Sequence, residues 1–164
     1  MSVYTESRAD VIDLFLKKTG LSIPTADLIV SRPKVNDDPA RPTTNTQVKF
    51  TVADTNASYS GSEVFHYNRL DLARLANYPA PDYPPITNVG VSVYALLTQI
   101  KNAMGLSFTP DDLVETFVTG TEGNTSILLK AKTTSLGWIG EFNLPLGVPP
   151  LLSSIFVKDF VLWS

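Results

Sequence analysis

The feature that most constrains this chain is an internal copy. The stretch VSVYALLTQIKNAMGLSFTPDDLVETFV, residues 91–118, has an abbreviated counterpart in VIDLFLKKTGLSIPTADLIV, residues 11–30. Setting Gly20 on Gly105 (105 − 20 = 85) also places Leu21 on Leu106, Ser22 on Ser107, Asp27 on Asp112, Leu28 on Leu113 and Ile29 on Val114. The same offset lays Val11, Ile12 and Phe15 on Leu96, Leu97 and Ile100, which are apolar positions at helical spacing. The chain reads as one unit written twice, so whatever fold the first copy can form must also suit the second.

In the first copy, Thr5 or Ser7 can cap a helix with an apolar face of Val11, Ile12, Phe15 and Leu16. Lys17 and Lys18 suit its negative end, and Gly20 is a left-handed stop. A short turn around Asp27-Leu28 then leads into SRPKVNDDPARPTTNT, residues 31–46, which holds three prolines and few apolar residues. It reads as a surface loop or an arm, and its Asp37-Asp38 pair as a solvated charge cluster. Val48, Phe50 and Val52 alternate with Lys49 and Thr51, the period-2 pattern of a half-buried strand. Turn residues 54–58 follow, and YSGSEVFHY, residues 59–67, returns as a hairpin partner.

A second hairpin stands at an offset of 79, with Val48 on Ile127, Phe50 on Leu129, Tyr59 on Trp138 and Gly61 on Gly140. The loop before the first hairpin is therefore six residues longer than its twin (85 − 79 = 6). Asn68-Arg69-Leu70-Asp71-Leu72 after the first hairpin resembles Asn143-Leu144-Pro145-Leu146 after the second, which extends the repeat into a tail. Between the units, residues 77–90 hold four prolines and form an extended connector. The second helix starts near Ser92 and ends at Gly105, with Val93, Leu96, Leu97, Ile100 and Met104 on one face. Thr109-Pro110-Asp111-Asp112 carries the signals of a further helix start. Ile155 to Trp163 alternate apolar on both faces, as either the centre of a sheet or a surface for another chain.

Composition narrows the chemistry. With no cysteine and a single histidine, thiolate metal sites, disulfides and the usual zinc ligand sets cannot be assembled, and no metal or cofactor is expected. His66 lies in a strand between Phe65 and Tyr67, and Ser62 before it lacks the strand-to-helix turn of a nucleophile elbow. Glycines stand singly, so no phosphate-cradling loop is present. A net charge of −3 with dispersed Lys and Arg gives no basic stripe for nucleic acid. No apolar run approaches the roughly 18 residues that span a bilayer, so a soluble, non-membrane protein is expected. Carboxylate pairs are accounted for by helix starts, and an enzyme is not expected.

The run YNRLDLARL (residues 67–75), then Leu96-Leu97 and Gln99-Ile100-Lys101-Asn102, and then GLSFTPDDLV (residues 105–114) resemble a domain found in virion structural proteins of large contractile-tailed bacteriophages. LLKAKTTSLGWIGEF, residues 128–142, is similar to that family's closing hairpin. The resemblance covers residues 67–150 and reaches the first half through the internal copy. It implies a particle component of the tail, baseplate or neck, with no catalytic residues to carry over. The insertion and the proline-rich loop depart from the compact pattern.

The expected fold is α+β: two pseudo-repeated helix-plus-β-hairpin units with antiparallel sheet, over residues 1–76 and 91–164, joined by 77–90. The expected function is a non-enzymatic virion structural protein that contacts other virion proteins and copies of itself. Expected contact residues are Pro33, Pro39 and Pro42 on the loop and Ile155, Phe156, Val157, Phe160, Leu162 and Trp163 at the end. The alternatives are capsid decoration or a receptor- or glycan-binding module, with Trp138, Tyr59 and Tyr67 as a stacking platform.

Overall fold

The computed structural model of the chain describes residues 8–77, 88–121 and 124–146. Helix α1 (Arg8–Thr19) buries Val11, Ile12 and Phe15 on one face, and Gly20 ends it at φ 68°. Helix α2 (Val93–Met104) buries Val93, Leu96, Ile100 and Met104. The Ser92 hydroxyl accepts the Tyr94 N–H at 3.2 Å, and Gly105, at φ 70°, donates its N–H to the Lys101 carbonyl at 2.8 Å. The expected caps at Thr5 and Ser7 lie outside the described residues.

Strands β1 (Leu28–Val30) and β2 (Lys34–Val35) run end to end along one edge of β3 (Thr46–Val52), and β4 (Ser62–Tyr67) pairs with its other edge. Next come β5 (Leu70–Asp71), a 3-10 helix (Leu72–Asn77), α2, and the strands β6 (Thr119–Thr121), β7 (Asn124–Lys130), β8 (Trp138–Ile139) and β9 (Glu141–Leu146). β6, β7 and β9 form a second antiparallel sheet, and β5 pairs with β8 in parallel. The architecture is mixed α+β with few helices and antiparallel sheets, as expected.

The two ladders share their register. β3 pairs with β4 from Thr46↔Tyr67 to Thr51↔Ser62, and adding 79 to each partner gives the β7–β9 ladder from Thr125↔Leu146 to Lys130↔Glu141. Leu28↔Val52 has its counterpart in the bridge Leu113↔Ala131, and Lys34↔Gln47 in Thr119↔Ser126. The six extra residues fall in the loop 36–45, since Val35↔Thr46 encloses ten residues and Gly120↔Thr125 encloses four.

That loop is not an arm. Asn36 Nδ2 donates to the carbonyls of Arg41 (2.8 Å) and Thr44 (3.1 Å), and Gln47 Nε2 donates to Asp37 Oδ1 at 2.8 Å. Asn45 N–H reaches Asn68 Oδ1, and Arg69 N–H reaches Asn45 Oδ1, each at 2.8 Å. Asn and Asp side chains thus satisfy the loop's own backbone and fasten it to the sheet.

Two further expectations are corrected. Thr109-Pro110-Asp111-Asp112 starts no helix: Asp112 N–H closes a turn on the Thr109 carbonyl at 2.9 Å, and Val114 N–H then joins Lys130 O at 2.8 Å. The same cap chemistry serves either outcome, and the open edge of β7 decides it. Asn143–Leu146 is also not a tail equivalent to residues 68–72, because it lies within β9 and pairs with residues 125–128 as residues 64–67 pair with 46–49. Pro145 is tolerated there because β9 lies at the edge of its sheet.

The interior divides into two clusters. Val11, Phe15, Val48, Phe50, Phe65 and Tyr67 belong to the first, joined by Leu136 from the second half. Ile100, Leu106, Leu113, Leu129, Trp138 and Leu144 belong to the second, joined by Leu72 and Leu75 from the segment following β5.

Candidate functional site

The halves meet in a joint built where the first hairpin ends. The Tyr67 hydroxyl donates to the Leu136 carbonyl at 2.6 Å, and the Leu136 side chain is buried in the first core. Arg69 donates from Nη1 to the Ser135 carbonyl at 3.2 Å and from Nε to Thr46 Oγ1 at 2.9 Å. Burial lowers the pKa of its guanidinium from the ordinary value, and Tyr67 opposes that shift. Leu70 N–H then reaches the Gly137 carbonyl at 2.8 Å, opening the parallel pairing Leu70↔Trp138 and Asp71↔Ile139. Asp71 Oδ1 caps the 3-10 helix through Ala73 N–H at 3.0 Å and packs against Gly140, where no Cβ would fit. Leu72 and Leu75, both 0% exposed, complete the second core beside Trp138.

At the equivalent place in the first half, this joint is empty. Subtracting 79 from Trp138, Ile139 and Gly140 gives Tyr59, Ser60 and Gly61, and among the described residues no strand pairs with 59–60. A Cβ at Gly61 would meet open space. A cleft of about 120 Å³ opens beside it, lined by Phe15, Leu21, Ile23, Phe50 and Ser60. Leu21 is half-buried there, whereas its counterpart Leu106 is 0% exposed. Ala57 and Ser58 are exposed, whereas Leu136 and Gly137 are buried. Among the described residues the contact therefore runs one way: the end of β4 and the residues after it grip the second half's turn, and no described residue grips the turn of the first half in the same manner.

A model of a family of unknown function (DUF7941) matches residues 1–161. The chain belongs to DUF7941. Its match runs through both halves and the joint. No curated protein and no solved structure matches the chain.

Elsewhere in this DUF7941 chain, the Asp112 carboxylate is buried, at 2% exposure. Its Oδ2 accepts from Thr109 N–H (3.0 Å) and Oγ1 (2.8 Å), and its Oδ1 accepts from Ser135 Oγ at 2.8 Å. Ser135 Oγ also accepts Trp138 N–H at 3.2 Å. The first half repeats the arrangement with other groups: Asn56 Nδ2 donates to Asp27 Oδ2 at 2.8 Å, and Asn56 Oδ1 accepts Tyr59 N–H at 2.8 Å. The Ser–Asp contact of the second half and the Asn–Asp contact of the first each lock a turn.

His66 lies on β4, with Nε2 3.7 Å from Asp38 Oδ2 and Nδ1 buried without a hydrogen-bond partner. Among the described residues, no group of three or more His, Asp or Glu could hold a metal ion, and no helix is long and apolar enough to cross a membrane.

The sugar-stacking platform is corrected: Trp138 is 0% exposed, Tyr67 is 4% exposed, and Tyr59 is half-buried against the first core. Trp138 packs on Phe108 with centroids 4.6 Å apart, so its faces are spent inside the protein. Of the expected contact residues, Pro33 is buried, while Pro39 and Pro42 are exposed on the fastened loop. Ile155, Phe156, Val157, Phe160, Leu162 and Trp163 lie outside the described residues. Sequence reasoning missed the joint. Its signal was available in Leu72-x-x-Leu75 and in Leu136, an apolar residue whose twin is only Ala57.

Proposed function

We propose that this chain is a non-enzymatic structural protein of a bacteriophage virion, placed in the tail, baseplate or neck and working through contacts with other virion proteins and with itself. It is made in the bacterial host cytoplasm and ends in the particle. The reading starts from the resemblance of residues 67–75, 105–114 and 128–142 to virion domains. One observation supports it most: the segment after β4 completes the sheet and core of the second half, while among the described residues no strand pairs with the equivalent edge at Tyr59 and Ser60. A fold that finishes a neighbour and is itself unfinished suits an assembly component.

The finer reading of the fold belongs with this proposal: the halves descend from one helix-plus-hairpin unit. Its support is the common ladder register, helices of equal length ending in left-handed glycines, and turn locks of one geometry. Backbone pairing restricts spacing more tightly than identity, so register outlasts sequence after duplication.

Mass spectrometry of gradient-purified particles tests the virion reading. The chain is expected in multiple copies per particle, and its absence from particles despite abundance in the lysate overturns the proposal. Deleting residues 154–164 is expected to leave a folded chain that no longer enters particles.

A further inference from the structure

We propose that the segment after β9 docks into the open cleft of the first half in a second copy of this chain, repeating the internal joint between molecules. The inference rests on the reading of the halves as copies, and it supplies the partner for the uncovered edge.

The internal joint is the template. In it, the residues just after a hairpin lay Leu70–Asp71 beside the strand of the following half and sink Leu72 and Leu75 into its core. The second hairpin ends at Leu146, and 18 residues of sequence follow it (164 − 146 = 18). Among them, Leu152-x-x-Ile155 repeats the spacing of Leu72-x-x-Leu75 at an offset of 80 (152 − 72 = 80; 155 − 75 = 80), one residue beyond the 79 that relates the ladders. The same offset sets Leu151 in the place of Asp71, opposite Ser60.

The receiving site matches in kind. Phe15, Leu21, Ile23 and Phe50 give it an apolar side, Ser60, Ser62 and Glu63 a polar one, and the space beside Gly61 is free where Asp71 fills the space beside Gly140. One bond of the template is lost, because Pro150 in the place of Leu70 cannot donate to a carbonyl. Proline is tolerated at the first residue of an added strand, and the two apolar anchors remain.

Docking in cis is disfavoured by the described contacts. A closed, two-fold pair of halves would bury Ala57 and Ser58 as it buries Leu136 and Gly137, and both are exposed. A one-way contact repeated between copies is heterologous and extends into a ring or a filament.

The chain has no native cysteine, so the test is a full-length Ser60→Cys/Leu151→Cys variant under mild oxidation. The expected result is a ladder of covalent dimers, trimers and higher species on a non-reducing gel. Ser60→Cys and Leu151→Cys proteins, mixed, are expected to stop at a heterodimer. Wild-type protein is expected to gain mass with concentration in sedimentation velocity, and Leu152→Asp/Ile155→Asp is expected to remain monomeric with an unchanged circular dichroism spectrum.

A cyclised monomer overturns the proposal in favour of docking in cis, and wild-type protein that stays monomeric, together with a double-cysteine variant that forms no cross-link, overturns it outright. Particle mass spectrometry separates this failure from that of the virion reading. A ladder from a chain absent from particles removes only the location, and a chain present in particles without a ladder removes only the self-docking.

Discussion

The two halves hold the same backbone ladders with opposite fillings. Phe15, Phe50, Phe65 and Tyr67 core the first, with Phe15 and Phe50 stacked at 4.0 Å between centroids. At the equivalent positions the second carries Ile100, Leu129, Leu144 and Leu146. Aromatic volume returns nearer the joint, where Trp138 and Phe108 replace Tyr59 and Ile23. The difference teaches that pairing register and core composition are separable, provided that lost volume is restored by neighbours. In the second half those neighbours include Leu72 and Leu75 from the first.

The comparison breaks most sharply at Trp138. Trp138→Ala is expected to cost about 3–5 kcal/mol, against about 1 kcal/mol for half-buried Tyr59→Ala, both measured by urea unfolding. Equal losses would mean that the joint does not seal the second core. Leu75→Ala follows, at about 2–4 kcal/mol, because it empties a site with no exposure. Hydrogen exchange should then quicken in β8 and β9 before β3 and β4, and uniform quickening would contradict the separation of the cores.

The turn locks sharpen the comparison at a smaller scale. Asp112→Ala strands Thr109 and Ser135 donors in a buried site and should cost about 2–3 kcal/mol, whereas Asp27→Ala loses one partly exposed bond and should cost about 1 kcal/mol. The smallest difference is expected at the helix ends. Gly20→Ala and Gly105→Ala place a Cβ on left-handed residues of nearly equal φ, 68° and 70°, and should each lower stability by about 1 kcal/mol. Thermal melts that differ strongly between these two variants would show that the helix stops are not equivalent.

Much of this fold was legible in residue order. The apolar spacing of α1 and α2, the alternation in β3 and the glycine stops are local signals, and each names its element without reference to the rest of the chain. The site was less legible. Asn68 to Leu72 read as the tail of the first half, yet Leu70, Leu72 and the following Leu75 pack in the second core, and the alternative of Trp138 as a stacking ring fails because it is fully buried. The Thr109 to Asp112 signal was ambiguous for the same reason, since its outcome depends on whether Val114 finds β7.

The sequence by itself determined the two helices with their glycine stops and the alternating strand at Val48 to Val52, because periodicity and turn chemistry act over a few residues. Only the tertiary structure decided which half each apolar residue serves and which edge is left unpaired among the described residues. Burial belongs to surfaces brought together from distant positions, as when Tyr67 meets Leu136, and a local pattern records that a side chain is apolar without recording what covers it.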